Sequence, residues 1–245
     1  MHGTFPPDHS QETPLQPWLA AMVDFFHEQT RPCRPPIVPD IELRLAVDSV
    51  PLWDRIEQEF KVPGAGPPYW AFAWAGGQAL ARHVLDHPGL VAGRRVLDLG
   101  SGSGVVAIAA AIAGAKHVIA TDIDILAVIA MSLNADANGV EIEARKADLL
   151  AQNVAFDPTG IDVLMVGDIF YDSNLAAPAL AIMQRCRDAG IRVLVGDPGR
   201  ADLPRARFTK LADHAVAVTC GCEYLTAASD QSEHDVIVGT VWALD

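Results

Sequence analysis

The run Val96-Leu97-Asp98-Leu99-Gly100-Ser101-Gly102-Ser103-Gly104 sets an acid two residues before the first of three alternating glycines. The apolar stretch RRVLDL (94–99) precedes the turn and the Ala-rich VVAIAAAIAG (105–114) follows it, so the glycines fall between a strand and a helix. Glycine permits the sharp turn and lets a ligand approach backbone N–H groups. The dinucleotide fingerprint is G-x-G-x-x-G, whereas Gly100, Gly102 and Gly104 give G-x-G-x-G with Val105 next. That spacing and the preceding acid point to a ligand without a pyrophosphate. S-adenosylmethionine carries an ammonium and a sulfonium, and the carboxylate of Asp98 suits that charge. A tight turn that holds no ligand is the plainer alternative.

Further acids recur at matching places. Asp122 ends the next apolar stretch, HVIATD (117–122), twenty residues past Gly102, where a carboxylate can accept both ribose hydroxyls of a nucleoside. Asp124 competes for that role but reads better as a helix cap. Asp148 closes EIEARKAD (141–148), where it can accept from an adenine amino group while Leu149 offers its backbone N–H. Alone, Asp148 is a solvated strand end; its register with Asp98 and Asp122 favours a ligand role. Asp168-Ile169-Phe170-Tyr171 closes IDVLMVGD (161–168) and would bring Asp168 and Tyr171 to the pocket mouth, near a transferable methyl. A loop acid and a packing tyrosine remain the alternative there.

The elements that must hold these residues alternate. Helices are predicted over 77–87, 105–114, 124–138 and 173–190, the last with Ser173 as candidate cap; a further strand is predicted over 191–197. This beat implies a Rossmann-like, doubly wound α/β sheet, mostly parallel, with ligands at its carboxyl ends. The tail, HAVAVTCGCEYL (214–225) and DVIVGTVWAL (235–244), reads as two strands joined by a polar loop, hence antiparallel. Together these give seven strands ending in an antiparallel hairpin, the class I methyltransferase pattern. Ahead of that domain (61–245) lies an extension of residues 1–60: a polar, Pro-rich start (1–14) expected to be poorly ordered, a helix (15–29), an extended linker (31–40), a strand (41–47) and a short helix (51–60).

Composition narrows the class. The chain has 245 residues, is 50% hydrophobic and carries net charge −13, which disfavours nucleic acid and favours cationic partners, although acidity also aids solubility. No apolar run approaches the ~18 residues of a membrane span. Four cysteines, with Cys220 and Cys222 as a lone C-x-C, suggest neither a disulfide framework nor a metal site. The start lacks a secretory or mitochondrial leader pattern, so a cytoplasmic location is expected.

The blocks PYWAFAWAGGQALARHVLD (68–86), VLDLGSGSGVVAIAAAIAGA (96–115), GDIFYD (167–172) and VLVGDPGR (193–200) resemble the protein-lysine methyltransferases marked by a D/E-x-x-Y/F motif after the fourth strand. Within them the chain is most similar to a bacterial-type member of the group acting on the β subunit of electron transfer flavoprotein. The resemblance implies S-adenosylmethionine as cofactor, a lysine-bearing protein as partner, and no metal. It assigns Trp74, Asp98, Gly100, Ser101, Gly102, Asp122, Ile123, Asp148, Leu149 and Asp168 to the cofactor, and Asp168 with Tyr171 to catalysis at the lysine entrance. Trp70 is a neighbour of that entrance or a core residue. Asp197 and Arg200 either contact substrate or pair with each other. Methylation of a small amine such as nicotinamide is the rival activity. A nicotinamide-dependent oxidoreductase lacks its third glycine here, and a module that holds the cofactor without turnover would transfer methyl to nothing.

Overall fold

The alternation of strands and helices is realised in a computed structural model that describes residues 17–46, 49–60, 67–151, 156–217 and 236–244. Its N-terminal part comprises α1 (Pro17–Gln29), β1 (Thr30–Cys33), β2 (Leu43–Ala46) and α2 (Ser49–Phe60). Strands β1 and β2 form an antiparallel pair. The expected linker over 31–40 is thus corrected at its start: its prolines exclude a helix, but Pro32 fits a strand that is paired on one side only. Residues 1–14 and the Cys220–Cys222 pair lie outside the described residues.

The central domain follows as α3 (Ala75–Asp86), β3 (Arg95–Leu99), α4 (Val105–Ile112), β4 (His117–Asp122), α5 (Ile125–Ala137), β5 (Glu143–Lys146), β6 (Val163–Gly167), α6 (Ser173–Asp188), β7 (Arg192–Asp197), β8 (Phe208–Ala217) and β9 (Val236–Leu244). The sheet order is β5-β4-β3-β6-β7-β9-β8. The first five of these strands are mutually parallel, and β9 runs antiparallel to both β7 and β8. The doubly wound, mostly parallel seven-stranded sheet expected from the sequence is therefore present, with β9 as the one reversed strand.

Because helices cover both faces, the inner strands are apolar throughout; Val163, Leu164, Met165 and Val166 are all buried. Helix α5 is capped as expected, with Asp124 Oδ1 accepting from Leu126 N at 2.9 Å. Helix α6 is capped by Asp172 rather than the expected Ser173: its Oδ1 accepts from Asn174 N at 2.8 Å, so the cap lies one residue earlier. Helix α3 starts at Ala75, two residues before the expected Gly77. Strand β8 starts at Phe208, before the expected His214.

The N-terminal pair is stitched to the sheet through α5. Asn134, fully buried, accepts from Arg44 N at 2.8 Å and donates to Ser103 O at 2.9 Å. Asn138 accepts from Glu42 N and donates to Glu42 O. Losing such a buried partner costs about 1–3 kcal/mol, so β2 is coupled through Asn134 to the glycine turn.

Candidate active site

The glycine turn lies between β3 and α4. Gly100, Gly102 and Gly104 have φ of +69°, +55° and +87°, values that a side chain disfavours. At Gly104 a Cβ would also press on Met131 at 3.0 Å. The turn is held from below: the N–H groups of Gly100 and Ser101 both donate to Thr121 O. Asp98, buried at the end of β3, accepts from Ser101 Oγ at 2.6 Å and from Ala107 N at 3.1 Å. Part of its duty is thus to brace the turn. Burial pushes its carboxyl up to about 7, against the pull of those two donors.

The remaining acids line the rim. Asp122 accepts from Gly102 N and from Asp124 N, both at 3.0 Å, and burial raises its pKa. Ile123 beside it is 64% exposed, an uncovered apolar surface bordering the cavity. Asp148 is exposed and accepts from Leu150 N at 3.1 Å, with Leu149 next to it on the same wall.

Asp168 follows β6 with φ +53°, the one described residue other than glycine with a positive φ. Its Oδ2 accepts from Gly77 N at 2.6 Å, at the first turn of α3. Helix N-termini present unsatisfied N–H groups and a partial positive charge, and a carboxylate answers both. Its Oδ1 is buried without a hydrogen bond and lies 3.7 Å from an Arg200 nitrogen. Burial lifts the Asp168 carboxyl to about 7; Arg200 and the Gly77 N–H oppose that rise.

Aromatic rings form the opposite wall. Tyr171 lies 4.9 Å from Tyr69, centroid to centroid; Trp74 lies 5.8 Å from both Tyr69 and Phe72 and donates through Nε1 to Tyr69 O. Trp70 is buried against Phe26, which supports its core reading, although it also borders the cavity. Asp197 and Arg200 are joined through the backbone rather than side chain to side chain: Asp197 Oδ1 accepts from the N–H of Gly199 and Arg200, while the Arg200 side chain reaches Asp168 and borders the cavity.

These groups surround one cavity of about 720 Å³. Trp74, Asp98, Gly100, Ser101, Gly102, Asp122, Ile123, Asp148, Leu149, Asp168 and Tyr171 all border it, as does Arg200, whereas Asp197 does not. Six carboxylates (Asp98, Asp122, Asp124, Asp148, Asp168 and Asp172) face two cations, Lys146 and Arg200, which suits a positively charged ligand. Sequence reasoning missed Tyr69, Phe72, Met22 and Ile56 on the walls, and the anchoring of Asp168 by Gly77. The Gly76-Gly77 doublet inside a helix, where glycine is disfavoured, is the signal that marked the anchor.

A seven-stranded sheet with one reversed strand, a glycine turn after its first parallel strand and acids on successive carboxyl ends define a class I methyltransferase. The family model described as ribosomal protein L11 methyltransferase (PrmA) matches residues 80–171. The chain is 41% identical over 179 residues to the electron transfer flavoprotein beta subunit lysine methyltransferase of Xenopus laevis, covering 72% of this chain and 70% of that one. It is 41% identical over 166 residues to that of Danio rerio (67% and 62%) and 37% identical over 209 residues to that of Homo sapiens (84% and 75%). The chain belongs to the family of electron transfer flavoprotein beta subunit lysine methyltransferases, and it spans between 62 and 75% of the length of these three relatives.

Proposed function

We propose that the protein transfers a methyl group from S-adenosylmethionine to a lysine of the electron transfer flavoprotein β subunit. The observation that carries this reading is that one acidic cavity runs from the glycine turn and Asp122 to Asp168 and Tyr171, so a nucleoside and an incoming amine would share it. Family membership supports the substrate. In the proposal residues 61–245 form the catalytic domain, and the 1–60 extension supplies Met22 and Ile56 to its wall.

The donor set fits the cofactor. The N–H groups of the glycine turn and the carboxylate of Asp122 would hold the nucleoside, with Asp148, Leu149 and Ile123 around its base and Trp74 against it. Asp98 and Ser101 would act from beneath, Asp98 by charge and Ser101 by fixing Asp98. When bound, S-adenosylmethionine supplies a methyl whose S–C bond breaks as the lysine N–C bond forms, with the electron pair left on sulfur.

The protein's own work is on the amine. Lysine titrates near 10.4, so losing its proton at pH 7 costs roughly 4–5 kcal/mol. Desolvation inside the cavity and nearby positive charge lower that cost. Asp168 Oδ1, buried and free of hydrogen bonds, accepts an N–H of the amine and aims the lone pair. It is an aligning acceptor that passes the proton toward water, not a strong base. Tyr171 and Tyr69 wall the channel.

The test is incubation with methyl-labelled S-adenosylmethionine and purified β subunit, alongside a small-molecule fraction containing nicotinamide. Label in the protein, abolished or strongly reduced by Asp168→Ala, is the expected result. Label in the small-molecule fraction alone, or full transfer with unchanged KM in Asp168→Ala, would overturn it. The cytoplasmic setting belongs to the same proposal and is checked by cell fractionation.

A further inference from the structure

Arg200 and Asp168 meet at the inner wall of the cavity at 3.7 Å. That separation preserves charge attraction but exceeds hydrogen-bonding distance. Asp168 Oδ1 therefore keeps its acceptor capacity, and Arg200 Nε is likewise buried without a partner. The other carboxylate oxygen is committed to Gly77 N. Arg200 is itself fixed from behind, because Asp197 at the end of β7 accepts from the backbone N–H of Gly199 at 2.6 Å and of Arg200 at 2.7 Å.

Resting on the lysine-methyltransferase reading, we propose that Arg200 is a positioning residue whose charge favours the ionised form of Asp168, leaves its Oδ1 without a hydrogen bond, and offsets that carboxylate's hold on the substrate proton. A carboxylate beside lysine has two opposed effects. It aims the amine, which transfer needs, and it stabilises the ammonium, which transfer must lose. A cation beside Oδ1, close enough to offset its charge but too far to occupy its lone pairs, retains the first effect and suppresses the second. The groups that bear on Asp168 are Arg200, the opposing charge of Asp197, and the N–H groups of Gly76 and Gly77 on α3. Of these Arg200 is the cation. Removing it shifts both titrations the same way: Asp168 holds its proton to higher pH, and so does the lysine once it faces an uncompensated carboxylate.

The experiment compares wild-type protein with Arg200→Gln and Arg200→Lys. With the β subunit as substrate and S-adenosylmethionine saturating, Arg200→Gln is expected to move the rising limb of kcat/KM against pH upward by about one unit. That shift lowers the rate at pH 7 about tenfold and lets it recover at higher pH. Arg200→Lys keeps the limb within about 0.3 unit, since the charge remains. In an Asp168→Asn background, Arg200→Gln adds no further shift. Equal loss at every pH overturns the proposal, as does weaker S-adenosylmethionine binding by calorimetry with an unmoved limb, which would make Arg200 a contact to the cofactor. If Arg200→Gln does not fold by circular dichroism, Arg200→Lys decides: loss at every pH overturns the proposal, and a near-normal rate with an unmoved limb supports it. The Asp168 carboxyl is also titrated by ¹³C NMR in the ligand-free protein, with Asp168→Asn identifying its resonance. This needs no substrate, so it separates failure of the inference from failure of the lysine reading. A carboxyl that titrates higher without the Arg200 charge supports the inference, and one that does not move overturns it.

Discussion

The carboxylate of Asp168 accepts a 2.6 Å hydrogen bond from the backbone N–H of Gly77, joining the loop after β6 to the first turn of α3. The approach leaves no room for a side chain beside it. A Cβ on Gly76 would lie 2.4 Å from Gly196 O and 2.7 Å from Asp168 Oδ2. Gly76→Ala is therefore expected to cost about 1–3 kcal/mol in urea unfolding, because the obstacles are backbone and an anchored carboxylate. Gly89, with nothing within 4 Å of its added Cβ, is the control, and Gly89→Ala is expected to stay within about 0.5 kcal/mol. Equal stabilities for the two variants would contradict the packing described.

Asp122 and Asp124 differ by two residues and both border the cavity, but Asp124 is the cap of α5. Asp122→Ala removes the rim carboxylate that also holds Gly102 N, and its S-adenosylmethionine Kd should rise tenfold or more, taking about 1.5–3 kcal/mol for hydrogen bonds to a charged group. Asp124→Ala removes the α5 cap and should cost about 1 kcal/mol of stability with a much smaller change in Kd. Calorimetric titration and thermal melts of both variants decide; the reverse ranking would move the ribose site to Asp124.

Stability should fall with pH in the ligand-free protein. Burial raises the Asp98 and Asp168 carboxyls from 3.8 to about 7 in the folded state. The stabilisation tied to a raised carboxyl is complete below the unfolded value and is lost as pH climbs through the folded one. The melting temperature is thus expected to drop between about pH 4 and 7 and to level off above that, and Asp168→Asn to flatten part of that slope. A cationic ligand favours the ionised acids, so S-adenosylmethionine should raise the melting temperature more at pH 8 than at pH 5. Identical slopes in wild type and Asp168→Asn would show that Asp168 does not titrate in this window.

Tyr171 is pushed up to about 12 by burial, so its hydroxyl stays protonated throughout the working range. It walls the channel by its ring against Tyr69. Tyr171→Phe should hold kcat/KM within a few-fold. Tyr171→Ala should raise KM for the protein substrate about tenfold, a loss of about 1.4 kcal/mol of substrate contact. A large kcat loss in Tyr171→Phe would instead assign work to the hydroxyl.

The residues legible in the sequence are those whose partners lie nearby along the chain or repeat with the fold. Asp98, Asp122 and Asp148 stand out because successive parallel strands return each of them to the same edge, and Asp124 because a cap needs only the next turn. What stayed hidden depends on distant segments. Nothing local says that Asp168 will reach a helix 91 positions earlier, or that Arg200 will turn toward Asp168 while Asp197 binds its backbone. Ser101 stands out because it sits in the glycine turn, but the bond from its hydroxyl to Asp98 depends on how the turn folds back on β3. The α6 cap falls on Asp172 rather than Ser173, since both are capable caps and the choice depends on where the chain leaves its short 3₁₀ turn.

Strand β9 lies between β7 and β8 although it follows both in the chain. During synthesis, β8 therefore emerges before the neighbour it must pair with exists. A nascent chain that has delivered β8 but not β9 carries an open β7 edge and a solitary strand, the two features that invite pairing with other chains. The wall bearing Asp197 and Arg200 hangs from that same β7 edge. Its final shape thus waits on the arrival of Val236–Leu244, and ribosomes stalled short of that segment should display a half-built sheet without a finished catalytic rim.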